Sequence, residues 1–232
     1  MNRNTRLIGI GLLIATCATA LAVQDAITLK FAPAEGAVYK YKISGSFQFS
    51  GADATLSGNV QDKVTKVDKD GNYTVEASQS GMAIEFNGQT MSPPDTKDTT
   101  TFKPNGDVVD YQSDTPSPDA RRMADLNTFV YPDKPVKVGD EWTSSLAEDS
   151  KNGVVPATVK YKFDSLEKIG SHDTAKIKVT YKETSGSDPA GSDGFVWIDT
   201  KDGSMVKGQA AWTNVPTPGG LATASVTMER VD

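Results

Sequence analysis

Cysteine and histidine are almost absent: Cys17 and His172 are the only ones in the 232-residue chain. A single cysteine excludes an internal disulfide framework. Structural and catalytic zinc sites need several His or Cys ligands, so zinc is excluded on the same count. His172 lies in the turn sequence Gly170-Ser171-His172-Asp173. Its neighbours Ser171 and Asp173 share a tight bend, which is not how a nucleophile, a base and an orienting group surround a substrate. It reads as a solvated turn residue. Positive charge is also short, with 24 Lys and Arg against 30 Asp and Glu and a formal net charge of −6. That balance argues against nucleic acid and against electrostatic docking on anionic lipid. No glycine-rich phosphate loop precedes a helix. Asp68-Lys69-Asp70-Gly71-Asn72 starts like a calcium loop, but glycine comes at the fourth place rather than the sixth, and the twelfth residue is Gln79. It reads as a hairpin turn. No catalytic residue, metal or cofactor is expected, and a carboxylate-based hydrolase stays as the remote alternative.

Long apolar runs are missing too, except at the start. Arg3 and Arg6 precede an apolar stretch from Leu7 to about Val23, and Ala18-Thr19-Ala20 and Ala20-Leu21-Ala22 follow. A basic n-region, a short apolar h-region and an Ala-x-Ala site make a secretory signal peptide. The run only approaches the ~20 apolar residues that a spanning helix needs, so no membrane span is expected once the signal is cut. Cys17 offers the alternative of an acylated, membrane-anchored lipoprotein. However, Ile14-Ala15-Thr16 before it is a poor lipidation triplet, and the apolar stretch continues past it. Residues 1–22 are therefore read as signal and 23–232 as the mature protein, in the periplasm or outside the cell. Loss of Arg3 and Arg6 takes the formal charge from −6 to −8.

What the mature chain has in abundance is period-two alternation in Tyr, Phe, Val, Ile and Thr, the mark of strands with one wet face. Tyr39, Tyr41, Ile43, Phe47 and Phe49 share one parity against Lys40, Lys42, Ser44, Ser46 and Gln48. Leu56, Val60 and Val64 continue the pattern, followed by Tyr73, Val75 and Ala77, then Met82, Ile84 and Phe86 before the hairpin signal Asn87-Gly88. A second series holds Val159, Tyr161 and Phe163, then Ala175 to Tyr181, Phe195 and Trp197, Val206 to Trp212, and Leu221 to Val231. Between them, Asp119 to Phe129 is the one helix expected, with Asp119 capping or charging its first turn. The reading is one all-β domain: a strongly curved antiparallel sheet or open barrel built from two β-meanders, about 37–112 and 155–232. A loop and helix segment, 113–154, joins them. Lys40-Tyr41-Lys42-Ile43 is echoed by Lys160-Tyr161-Lys162-Phe163, which raises the possibility of a repeat. The helix is expected to cover one end of the sheet or to plug its concave face.

The stretch Gly36-Ala37-Val38-Tyr39-Lys40-Tyr41 and the stretch Pro132-Asp133-Lys134-Pro135-Val136-Lys137-Val138-Gly139-Asp140-Glu141-Trp142 resemble motifs of a family of exported bacterial β-rich proteins of unknown function. The resemblance implies a secreted β-rich domain and brings no activity or functional residue with it. At the level of fold, such meanders are similar to the half-barrel lipoprotein carriers of the periplasm. If the aromatics share one side of a curved sheet, Tyr39, Tyr41, Phe47, Phe49, Phe86, Tyr161, Phe163, Trp197 and Trp212 line its concave face. The expected function is a non-enzymatic envelope or secreted protein that binds a lipid or other apolar ligand there. The alternative is an interaction module that presents the loops Ser92–Asp98 and Ser113–Asp119 to an envelope protein. The mass of the denatured protein, purified from its native envelope, is expected to match an unmodified chain beginning at Val23. An added acyl mass on a chain beginning at Cys17 would overturn that.

Overall fold

The computed structural model describes residues 25–49, 52–117, 119–217 and 220–231. The expected signal segment, with Cys17 and its lipoprotein alternative, lies outside these residues. Twelve strands follow in chain order: β1 (Val38–Phe49), β2 (Ala52–Val67), β3 (Tyr73–Phe86), β4 (Gln89–Met91), β5 (Thr96–Phe102), β6 (Val108–Ser113), β7 (Glu141–Leu146), β8 (Ala157–Ile169), β9 (His172–Glu183), β10 (Gly191–Asp199), β11 (Met205–Thr217) and β12 (Gly220–Arg230). One helix, α1 (Ala120–Leu126), lies between β6 and β7. The strands form one sheet in the order β6-β5-β3-β2-β1-β12-β11-β10-β9-β8-β7, with β4 paired to β3 beside that path. Every pairing is antiparallel. The all-β reading with one short helix holds. The two meanders join through β1 and β12, so the sheet is continuous.

Alternation in the sequence becomes inside and outside in the sheet, because successive side chains point to opposite faces. On β2, Ala54 and Val64 are buried and Leu56 and Val60 partly so, while Asp53, Thr55, Ser57 and Lys63 are exposed. On β3 the inward parity changes. Ala77 sits opposite Asp62 and Val75 opposite Val64, whereas Ile84 faces Leu56 and Phe86 faces Ala54. The switch falls at a bulge across from Ser57–Asn59, where Gly81 takes φ +58°. An extra residue in one strand shifts the alternation by one, and glycine tolerates the left-handed backbone it requires. Asp68 closes the β2–β3 hairpin by accepting the N–H groups of Asp70 and Asn72, both at 2.9 Å.

The main hydrophobic core belongs to the C-terminal strands. Tyr161, Phe163, Ala175, Ile177 and Ile198 are at most 1% exposed, and Leu29, Leu126, Tyr131 and Val136 pack onto them from outside the sheet. Leu126 ends α1, and the other three come from two segments that cross the inner face, 25–36 and 127–140. The two segments bind each other through Ile27 and Val136, which exchange backbone hydrogen bonds of 2.8 Å. Phe129 meets Tyr131, Trp142 and Tyr161 edge-on, and Trp142 stacks on Tyr161 at 5.2 Å. Such ring geometries contribute roughly 0.5–1.5 kcal/mol each beyond the area they bury. Trp142 Nε1 donates to Val130 O at 2.9 Å.

Two expectations for the middle of the chain need correction. The joining segment 113–154 is not all loop and helix, because β7 lies inside it and pairs with β8 from Glu141↔Lys162 to Leu146↔Ala157. Gly139-Asp140 reads as a turn and Trp142 as the core anchor of a strand after it, and that strand, EWTSSL, alternates strictly between exposed and half-buried side chains. The helix is also shorter than Asp119–Phe129, and Asp119 makes no side-chain cap. Asp119 has helical backbone angles, φ −99° and ψ −3°, and its carboxylate lies 3.8 Å from Arg122 instead.

The crossing segments are locked under the β10–β11 turn. Tyr131 Oη donates to Gly203 O at 2.6 Å, and Tyr41 Oη to Met205 O at 3.3 Å. A Cβ on Gly203 would stand 2.1 Å from Lys30 O, and Gly203 has φ +75°. Gly170, at φ +57°, has open space around it. Gly170→Ala is therefore expected to lose about 1 kcal/mol, the left-handed penalty alone. Gly203→Ala is expected to lose about 3 kcal/mol or more, because strain and a backbone clash combine. Urea denaturation midpoints compare the two, and equal losses would show that the Lys30 contact does not constrain the fold.

Candidate functional site

The path from β6 to β7 is not closed: each end strand has a hydrogen-bonded neighbour on one side only. Both ends nevertheless line one cleft of about 920 Å³, so the sheet curls almost fully round. β6 forms one wall along its whole length. Ser144–Leu146 of β7 and the loop after it form the other, and α1, Val130 and Tyr161 make the back. The helix thus stands at the opening of the barrel, where the chain leaves β6 to reach β7.

Helical spacing sorts the charged side chains of α1. Residues four apart share a face, so Arg121 Nε reaches Asp125 Oδ1 at 2.8 Å. Asp125 is 3% exposed and lines the cleft, and its Oδ2 has no hydrogen-bond partner. Burial raises its pKa, opposed by Arg121. Arg122, about 100° further round, grips Glu183 at the end of β9 with two bonds of 2.6 and 2.7 Å. Glu183 is 1% exposed and also accepts the Ala190 N–H. Beside this pair the Tyr181 hydroxyl is buried without a partner, as is Trp212 Nε1. Burial first, then Glu183 and Asp125, raise the Tyr181 pKa, so its hydroxyl stays a neutral donor.

The expected aromatics fall into three places. Tyr161 and Phe163 are core, at 1% and 0% exposure, although the ring of Tyr161 reaches the back of the cleft. Tyr39 and Tyr41 face inward beneath Phe31 and the β10–β11 turn. Phe47, Phe86 and Trp212 share a single cross-strand row. It runs Ser144, Val159, Tyr181, Ser192, Trp212, Ala224, Phe47, Ala54, Phe86 from β7 round to β3, each residue the register partner of the next. From Tyr181 onward the row alternates large and small. Phe47, Phe86 and Trp212 are partly exposed, as are Leu56 and Ile84 alongside. A groove of about 930 Å³ opens at the rim here and takes in both faces of the sheet: Phe47, Ala54 and Ala224 from this row, and Ser46, Thr55 and Glu85 from the outward row beside it. The side chain of Phe49 is outside what the structure describes.

Trp197 corrects the expectation that all nine share one face. Its register partners are Lys176 and Lys207, while its neighbours Val196 and Ile198 join the core on the opposite face. Lys176 and Lys207 lie over its ring at 5.3 and 5.6 Å, and Trp197 Nε1 donates to Glu167 at 2.8 Å. Phe195-Val196-Trp197-Ile198 is apolar on both parities, so alternation alone could not assign the face. His172 differs as well. It opens β9 just after the turn, and its Nδ1 lies 2.6 Å from Asp199 Oδ2, tying the β8–β9 turn to the β10–β11 turn. Among the described residues no group of three or more His, Cys, Asp or Glu is placed to hold a metal ion.

Comparison with known proteins yields structural neighbours alone. No family model matches the chain, and no curated protein sequence matches it. It is similar to a protein from Bacteroides fragilis that is inferred to be exported and described with a YmcC-like fold. The two are 12% identical over 88% of this chain and 100% of that one, with a TM-score of 0.36. It is also similar to an inferred lipoprotein from Parabacteroides distasonis, at 17% identity over 90% of this chain and 100% of that one, with a TM-score of 0.32. No helix among the described residues is long and apolar enough to cross a membrane.

A further inward carboxylate, Asp62, stands opposite Tyr39 on β2. Burial pushes its pKa up to about 6, from an ordinary 3.8. An acid whose pKa is raised on folding favours the folded state while protonated. Its contribution is complete below pH ~4 and is lost as pH rises through ~6. Solvent reaches part of this side chain, so the full two units are discounted to about 1–2 kcal/mol. Asp62→Asn is expected to match the native stability at pH 4 and to exceed it by that amount at pH 7. Chemical denaturation at both pH values checks this, and a difference independent of pH would remove Asp62 as the titrating group.

Proposed function

We propose that this chain is an exported, non-enzymatic binding protein that holds a lipid or other apolar ligand against the inner face of its sheet. One observation carries the reading: the row of alternating large and small side chains from Tyr181 to Phe86. Two of the small residues in the row, Ala54 and Ala224, line the groove at the rim, and pockets for small molecules are mostly apolar with a few placed polar groups. Here those groups are the Tyr181 hydroxyl and Trp212 Nε1, two buried donors without acceptors. An unsatisfied buried donor costs roughly 1–3 kcal/mol, which a ligand oxygen placed between them would recover. Beyond Trp212 the partly exposed Phe47, Leu56, Ile84 and Phe86 offer an apolar trough for the remainder of the ligand. Export rests on the basic, apolar and Ala-x-Ala pattern of residues 1–22. The binding role, as opposed to hydrolysis, is supported by the pairing of the most buried carboxylates with arginines: Glu183 with Arg122 and Asp125 with Arg121.

Protein purified from its native envelope is expected to carry extra mass in native mass spectrometry that disappears on denaturation. Phe47→Ser, at a partly exposed position, is expected to weaken binding of a fluorescent sixteen-carbon fatty acid by about tenfold, or 1.4 kcal/mol, without moving the unfolding midpoint by more than a few degrees. A bare chain in both spectra, together with no fatty-acid binding by the native protein, would overturn the reading.

A further inference from the structure

The two free edges set a condition that the fold itself leaves unmet. Eleven strands lie on the path from β6 to β7, and each of the ten steps between them is antiparallel. Direction reverses at every step, so an even number of steps returns β7 to the direction of β6. Curled round, the edges therefore run the same way across the cleft, and pairing them directly would give the one parallel ladder in an antiparallel sheet. A single added strand running the other way is antiparallel to both. It would complete a closed ring of twelve alternating strands.

Exposed edges invite pairing unless charge, proline or a covering element blunts them. Neither Val108–Ser113 nor Glu141–Leu146 contains lysine or proline, each carries a single charge, Asp110 or Glu141, and the helix that might have covered them stands at the back of the cleft. Each strand is six residues long, a span of about 20 Å at 3.3–3.4 Å per residue. The lining of the cleft also favours one kind of side chain. Lys103, Arg121 and Lys151 stand against Asp107, Asp110, Asp125 and Asp149, one carboxylate in excess. Asp125 lines the cleft, and its Oδ2 atom is buried and lacks a donor.

We propose that the cleft between β6 and β7 is a strand-addition site. It receives an extended segment of a partner protein, antiparallel to both edges, with one inward Lys or Arg that donates to Asp125. Backbone hydrogen bonds to two edges supply affinity, and the pocket at Asp125 supplies selectivity. This site is separate from the apolar row and does not depend on a ligand being held there.

The probe is a displayed library of random nine-residue peptides, selected on the mature protein. Enriched peptides are expected to share one Lys or Arg flanked by alternating β-branched residues. In proton–nitrogen correlation spectra they are expected to slow amide exchange at least tenfold in both 108–113 and 141–146. Methylating alternate backbone nitrogens of a selected peptide should abolish binding, since it removes donors from one edge without touching the protein. Replacing its basic residue with Glu, or using Asp125→Asn protein, should weaken binding about tenfold. No enrichment, protection of one edge alone, or binding indifferent to N-methylation would overturn the proposal. Concentration-dependent protection of both edges without peptide would overturn it too, in favour of a second copy of this chain. Fatty-acid binding measured on the same samples reports separately on the inner row.

Discussion

A sheet curled this far encloses more inner face than its own strands can fill, and everything else in the molecule answers to that. The strands of the C-terminal half are closed over by two irregular segments, 25–36 and 127–140, that supply Leu29, Leu126's neighbours Phe129 and Val130, Tyr131 and Val136. Irregular backbone buried in this way must find hydrogen bonds. Ile27 and Val136 satisfy each other, Tyr131 N donates to Asn105 O at 2.8 Å, and Val130 N is met by the hydroxyl of Tyr161. The glycine at 203 exists to let Lys30 pass. Where no segment crosses, over the far ends of β1, β2 and β3, the inner face stays partly open, and there Phe47, Leu56, Ile84 and Phe86 keep part of their surface exposed.

The same geometry explains why the polar chemistry gathers at one place. The chain must leave the sheet after β6 and rejoin it at β7, and α1 is the bridge. A helix lodged at the mouth of a barrel turns one face to the core, where Leu126 packs, and another to whatever the sheet edges leave between them. Asp125, Arg121, Arg122 and Glu183 meet there because helical rotation sends successive residues in different directions. Burying this many charges is tolerable only in pairs: Arg122 holds Glu183 and Arg121 holds Asp125, whose second oxygen keeps no partner.

Much of this was legible. Alternation placed Tyr41, Phe47, Val64, Phe163 and Ile177 on the inner face, and Asp68-Lys69-Asp70-Gly71 and Asn87-Gly88 at hairpins, because period two and turn chemistry act over a few residues. It failed at Trp197, where both parities are apolar, and at β7, where only Trp142 and Leu146 mark the inward parity and Ser144 lies between them. The buried charges had one signal that could have been used. Only five of the 24 basic residues are arginine, and two of those are adjacent, Arg121 and Arg122. In a chain that otherwise takes lysine for its wet faces, arginine marks places where a planar fork must hold a carboxylate. Arg230 is placed by other contacts, lying over the ring of Tyr39 and donating to Ser204 Oγ at 2.7 Å.

The sequence by itself determined most of the strands, their inward faces and their turns, since each depends on side chains a few residues apart. Only the tertiary structure decided which strands end the path. That outcome depends on β1 pairing with β12 across the whole length of the chain. The number of strands between the ends, and so the direction in which two free edges face each other, is a property of the closed arrangement. No local pattern of residues records it.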